Sequence, residues 1–163
     1  MKKLLVLAVL LLLVSACGVK PTPVIGAGPA PTLRNPVGSG RGTEVILYFV
    51  LDGRLTPVTR PITSTVGPTT TLSLLLGGPS YAESADGYVT MLPRGGGQVS
   101  LSLEAPATIT VPFAVEQLNP TAVSQLVCTT FAALAAEGRF VLASTVVLAG
   151  TDTKLPPQSC QAF

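Results

Sequence analysis

The apolar positions fall into three regimes along the chain. Every residue from Leu4 to Val14 is apolar, and no apolar period is visible from Gly18 to Gly42. From Glu44 onward, short apolar blocks alternate with turn signals, the pattern of a folded domain. "EVILYFV" (Glu44 to Val50) is nearly continuous and rich in β-branched and aromatic residues. It predicts a strand buried on both faces, at the centre of a sheet. Asp52-Gly53 is a two-residue hairpin signal, after which Leu55 to Arg60 can return as a second strand. Pro57 lacks a main-chain donor and puts that strand at an edge.

Helical signals follow. Pro68 suits a first turn, with Leu72, Leu75 and Leu76 behind it and Gly77-Gly78 as the stop. Ser80 and Glu83 have the spacing of a capping box, predicting a short helix to Asp86 that ends at Gly87. Tyr88 to Leu92 and Gln98 to Leu103 read as two strands joined by the glycine turn Gly95, Gly96 and Gly97, with a further strand at Thr108 to Phe113. Asn119 is a good N-cap with Pro120 at the first helical position, and Val123, Leu126, Val127, Phe131 and Leu134 form one apolar stripe before Gly138. Phe140 to Leu148 is a last strand. This order predicts an α+β domain of two layers, a mixed sheet of about four to six strands with two main helices packed on one face.

The first regime is not part of that domain. Lys2 and Lys3 precede the apolar run, and eleven apolar residues as a helix reach only ~17 Å, short of a hydrocarbon core of roughly 30 Å. Residues 1–16 therefore read as a signal peptide that is removed. Val14, Ser15, Ala16 and Cys17 resemble the lipobox of bacterial lipoproteins, whose cysteine is acylated and becomes the new N-terminus. The implied partner is membrane lipid, held through acylated Cys17. Two or three acyl chains give a stable anchor, at ~0.8 kcal/mol per buried methylene.

Residues 17–42 read as the lipidated cysteine and a tether, since eleven of the twenty-five residues from Gly18 to Gly42 are Gly or Pro. As a coil the tether spans about 25–30 Å. Residues 43–150 form the domain and 151–163 a tail. The charge balance changes along the same divisions. The whole chain has ten basic and eight acidic residues, net +2, but Lys2 and Lys3 leave with the signal, and Lys20, Arg34 and Arg41 lie in the tether. From Thr43 on, five basic residues face eight acidic ones, so no charge argument for a nucleic-acid partner remains.

With Cys17 acylated, Cys128 and Cys160 are left to pair. Outside the cytoplasm they are expected to form a disulfide tying the tail to the long helix. Their spacing is unlike a C-x-x-C redox motif.

Candidate chemistry is sparse. The chain contains no histidine, which removes the usual base of a Ser or Cys nucleophile and the commonest transition-metal ligand. No nucleophile-elbow or metal-site spacing occurs, and no cofactor is implied. "GAGPAP" from Gly26 departs from the dinucleotide-binding pattern at its sixth position. Asp52, Glu83, Asp86 and Glu104 are the acids available for two-carboxylate chemistry, with nothing in the sequence to pair them. Arg94 with its following glycines could cradle an anion or simply form a turn.

"LYFVLDGRLTPVTRPI" followed by "LSLLLGGPSYAESADGYVTMLP" resembles the GerMN domain of spore-germination proteins and Gram-positive and actinobacterial lipoproteins. The resemblance rests on Tyr48, Phe49, Asp52, Gly53, Arg60, Pro61, Leu75, Leu76, Gly78, Pro79, Gly87 and Pro93. After Pro93, "VSLSLEAP" follows the family pattern only in part. The resemblance implies an α/β domain with helices on one side of a sheet and a non-catalytic role in envelope assembly or beside a sensor kinase. It carries no catalytic residues. The expected function is thus a lipid-anchored extracytoplasmic module with an envelope protein partner; the alternative is a surface lipoprotein that captures a small solute. A composition rich in Ala, Gly, Pro and Arg suits a GC-rich genome such as an actinobacterium's, with the anchor in the outer leaflet of the cell membrane if the host has one membrane.

Overall fold

The computed structural model describes residues 44–95, 97–139 and 145–161. Strands β1 (Glu44–Leu51) and β2 (Arg54–Pro61) form an antiparallel hairpin in full register, Glu44 opposite Pro61 and Leu51 opposite Arg54. The turn is Asp52-Gly53 with φ of 50° and 76°, both positive as a twist-matched two-residue turn requires. Helices α1 (Pro68–Leu76) and α2 (Tyr81–Ala85) follow, then β3 (Ser100–Ser102), β4 (Thr108–Thr110), α3 (Pro120–Ala136) and β5 (Val147–Ala149).

The helix boundaries obey local capping chemistry. Asn119 accepts a hydrogen bond from the Ala122 main chain at 2.7 Å and Pro120 opens α3. Ser80 and Glu83 form both halves of a capping box around α2. Gly78, Gly87 and Gly138 take positive φ where the helices stop.

The α+β class holds, but the expected single mixed sheet is two small sheets. One is the β1–β2 hairpin; the other has the order β3-β4-β5, with β3 antiparallel and β5 parallel to β4. The division has a chemical cause at the second edge of β1. There the Tyr48 N–H donates to Thr129 Oγ1 at 3.0 Å and the Tyr48 carbonyl accepts from Gln125 Nε2 at 3.0 Å. Both partners are fully buried side chains of α3. Helix side chains thus occupy main-chain groups that a neighbouring strand would have used. Beyond them, Val50 and Val89 exchange two main-chain bonds of 2.9 and 2.8 Å, an isolated bridge. The strand expected over Tyr88 to Leu92 is reduced to that bridge, because the Met91 N–H is taken by Gln125 Oε1 at 2.7 Å. It does not pair with the next segment around the glycines; β3 pairs with β4 instead. β1 is therefore not flanked by strands on both sides.

The same geometry fixes the free edge of β2. Tyr48 and Val50 turn their main-chain groups away from β2, so residues 45, 47, 49 and 51 face it. Their register partners are Arg60, Val58, Thr56 and Arg54, leaving Leu55, Pro57, Thr59 and Pro61 directed outward. Two of these four positions have no N–H, which is how Pro57 and Pro61 fit into a strand without breaking its ladder.

One core joins both sheets. Leu47 and Phe49 of β1, Leu72 and Leu75 of α1, Ile109 of β4, Val123, Leu126 and Val127 of α3, and Leu148 of β5 are buried together. The two main helices pack on each other and both contact β1. The tail runs back along β5, with Val146 and Gln158 exchanging bonds of 2.8 and 2.7 Å and the Leu155 N–H donating to Leu148. Cys160 on this tail is bonded to Cys128 of α3. Of the strand expected over Phe140 to Leu148, residues 140–144 lie outside the described residues. Among the described residues no helix is long and apolar enough to cross a membrane.

Candidate functional site

Two arginines stand near the junction of α1, α2 and the segment after Val89, and the structure treats them differently. Arg60 leaves β2 beside α2. Its Nε donates to Glu83 Oε1 at 3.1 Å, and its Nη2 donates to Glu83 Oε2 at 2.5 Å and to the Gly78 carbonyl at 3.3 Å. Its guanidinium carbon also lies 5.9 Å from the centroid of the Phe49 ring, within cation–π range. Glu83 Oε2 additionally accepts the Ser80 N–H at 2.6 Å. Burial pushes the Glu83 carboxyl upward, but its bonds with Arg60 and the Ser80 main chain outweigh this and hold it below the ordinary carboxylate range. Phe49, Arg60, Gly78, Ser80 and Glu83 thus form one internal tie that fixes the short α2 against the hairpin.

Beyond this tie lies an open cleft of about 340 Å³. Leu76, Gly77, Gly78 and Pro79 line one side; Ser84, Thr90, Leu92, Pro93, Arg94 and Gly95 complete it. Tyr81, at the start of α2, is 95 % exposed. The carboxyl end of α1 meets the cleft at Leu76 to Gly78, bringing the negative end of its backbone dipole there. Thr90 is held from behind: its Oγ1 accepts the Leu92 N–H at 3.2 Å and a long 3.5 Å bond from buried Gln125. Arg94 is the one charged side chain of the lining and takes part in neither ion pair found among the described residues.

The acids singled out in the sequence take separate local roles. Asp52 forms the hairpin turn, Glu83 neutralises Arg60, Asp86 caps the end of α2, and Glu104 donates its N–H to Ser102 Oγ in the loop after β3. Among the described residues no three of the His, Cys, Asp and Glu residues gather as a metal site. Cys17 lies outside the described residues. Every buried side-chain polar atom among the described residues has a hydrogen-bond partner.

Gln125 and Asp152 carry positions that sequence reading missed. Gln125 lies on the side of α3 away from the stripe of Val123, Leu126 and Val127, so the helical period marks it as a polar outer position and gave no signal of its burial. Asp152 binds the Val115 N–H at 2.8 Å and the Glu116 N–H at 3.0 Å, which lower its pKa. Its partners are 37 and 36 residues away, so no local pattern marks it. Comparison of the chain with protein-family models, with curated proteins and with solved structures finds no match.

Proposed function

We propose that this protein is a lipid-anchored module of the bacterial cell envelope that acts by binding other envelope components rather than by catalysis. The observation that carries the reading is the cysteine arrangement. Cys128 and Cys160 are bonded to each other, a state suited to an oxidising compartment, which leaves Cys17 as the remaining cysteine, after the apolar run and the small residues Ser15 and Ala16. The tether from Gly18 then gives the domain reach from the membrane. The absence of histidine and the use of Arg60 and Glu83 as an internal tie support a scaffold rather than a reactive centre. The GerMN resemblance gives this module its class: its Phe49, Arg60 and Gly78 positions are those of the tie, as suits a motif that specifies architecture.

Metabolic labelling with an alkyne-bearing fatty acid tests the anchor. The chain should take up label, and Cys17→Ala should abolish it; label retained by the variant overturns the reading. Crosslinking in intact cells should then recover a reproducible envelope protein partner. The open cleft favours a second reading, a surface lipoprotein that captures a small solute, because its volume lies within the range of ligand sites.

A further inference from the structure

We infer that the loop between β2 and α1 is a covalent modification site, at which the hydroxyls of Thr63, Ser64 and Thr65 take up a sugar from a phosphate-activated donor. The inference stands apart from the binding role proposed above and concerns a different part of the chain.

The stretch from Thr63 to Thr71 reads "TSTVGPTTT", in which six of nine residues carry a hydroxyl. Serine and threonine at this density around a proline are the composition of segments that bear O-linked sugars. The structure sorts the six. Thr71 is buried and donates its hydroxyl to the Gly67 carbonyl at 3.2 Å, so it belongs to the first turn of α1. Thr69 and Thr70 are exposed but sit on that same helical turn. Thr63, Ser64 and Thr65 are exposed one after another in a loop. The side-chain bonds made around them, from Thr71 to Gly67 and from Ser73 to Thr69, leave all three hydroxyls out.

The backbone presents these hydroxyls. Ile62 and Val66 are partly buried against the core and pin the loop at both ends. Between them, Thr63 to Thr65 make no main-chain hydrogen bond among the described residues. A transferase must draw its acceptor segment into its own site, and a segment outside any ladder or helix follows without unfolding its surroundings. Other exposed hydroxyls lack this freedom: Ser100 and Ser102 are paired within β3, and the Thr151 N–H is bonded to Phe113. Charge decides which group the loop takes up. A phosphoryl group adds about two negative charges and is stabilised by arginines around it. The stretch from Ile62 to Thr71 contains no Lys or Arg. The carboxylate of Glu137 approaches it, with Oε1 3.5 Å from where a Cβ on Gly67 would sit, and Arg139 is paired with that same acid at 3.4 Å. An uncharged sugar meets no such repulsion. In the transfer the hydroxyl oxygen bonds to the anomeric carbon of the sugar as the bond from that carbon to the donor phosphate breaks. The hydroxyl proton passes to a base of the transferase, and the phosphate leaves with the bonding pair.

The test is mass spectrometry of the full chain purified from its native cells, both intact and as peptides fragmented by electron transfer, which leaves a sugar in place. The intact mass should exceed that of the polypeptide and its acyl chains by whole sugar residues. The added mass should map to Thr63, Ser64 or Thr65, and not to Thr69 or Thr70. Combining Thr63→Val, Ser64→Ala and Thr65→Val should remove it completely, while Ser100→Ala with Ser102→Ala should leave it unchanged. The three loop substitutions made singly assign the occupied residue, each losing sugar at the position replaced. The proposal is overturned by a mass that polypeptide and acyl chains account for in full, by phosphate at these residues, by sugar confined to Thr69 or Thr70, or by sugar retained in the triple variant.

Discussion

Arg60 and Arg94 both lie near α2 and the turn that precedes it, one in the framework and one on the wall of the cleft. Arg60 spends its fork on Glu83 and the Gly78 carbonyl and rests over Phe49. Arg94 lines an open cleft and enters neither ion pair among the described residues. Identical chemistry thus serves two ends, and the difference lies in what surrounds it. A guanidinium that meets a carboxylate of its own chain, partly out of water, becomes structure. One that meets solvent stays available for a ligand.

The contrast can be broken from the framework side first. Replacing both Cys128 and Cys160 by Ala should cost about 3.5 kcal/mol of unfolding free energy by loop entropy, read from urea denaturation, since the bond closes a loop of 32 residues. The cleft lining should keep its amide shifts under native conditions. Gln125→Leu is expected to cost about 2–3 kcal/mol in the same assay, because it leaves the Tyr48 carbonyl and the Met91 N–H without partners. It should also loosen Thr90, joining the two sides of the comparison in one variant.

Glu83→Gln sharpens the contrast by weakening the Arg60 tie together with the Ser80 capping bond, at about 1–2 kcal/mol for lost charge-assisted bonds. Its pH signature has a definite sign. The folded carboxyl titrates below its unfolded value, so the stabilisation is complete above the ordinary carboxylate range and is lost as pH falls through the depressed folded value. Asp152 acts in the same direction through its bonds to Val115 and Glu116. Glu83→Gln should therefore flatten, and not abolish, the acid limb of a plot of stability against pH. Arg94→Gln is the smallest effect expected: a change within about 0.5 kcal/mol, as for an exposed side chain without internal partners.

Much of the fold was legible wherever the governing forces are local. Asp52-Gly53 marks its turn, Asn119-Pro120 the start of α3, and Ser80 with Glu83 the capping box, because each acts within a few residues. The two-sheet division was not legible, since it depends on Gln125 and Thr129 reaching Tyr48 across 77 and 81 residues. Tyr88 to Leu92 has the composition of a strand, yet a distant amide takes the bond that a ladder would need. At the cleft, Arg94 and Gly95 drew notice as a possible anion cradle. Their placement in one cleft with the end of α1 became visible only in three dimensions.

The prolines of β2 bear on how this protein behaves in company. If the chain is held on a membrane surface as proposed, it meets its neighbours at a high effective concentration. An exposed hairpin edge under those conditions is a template on which the next copy can add its own strand, and then the next. With Pro57 and Pro61 at outward positions, only Leu55 and Thr59 of that edge can donate, and two widely spaced donors make a poor start for a ladder. Crowding could then bring hairpins side by side without this edge seeding a growing sheet.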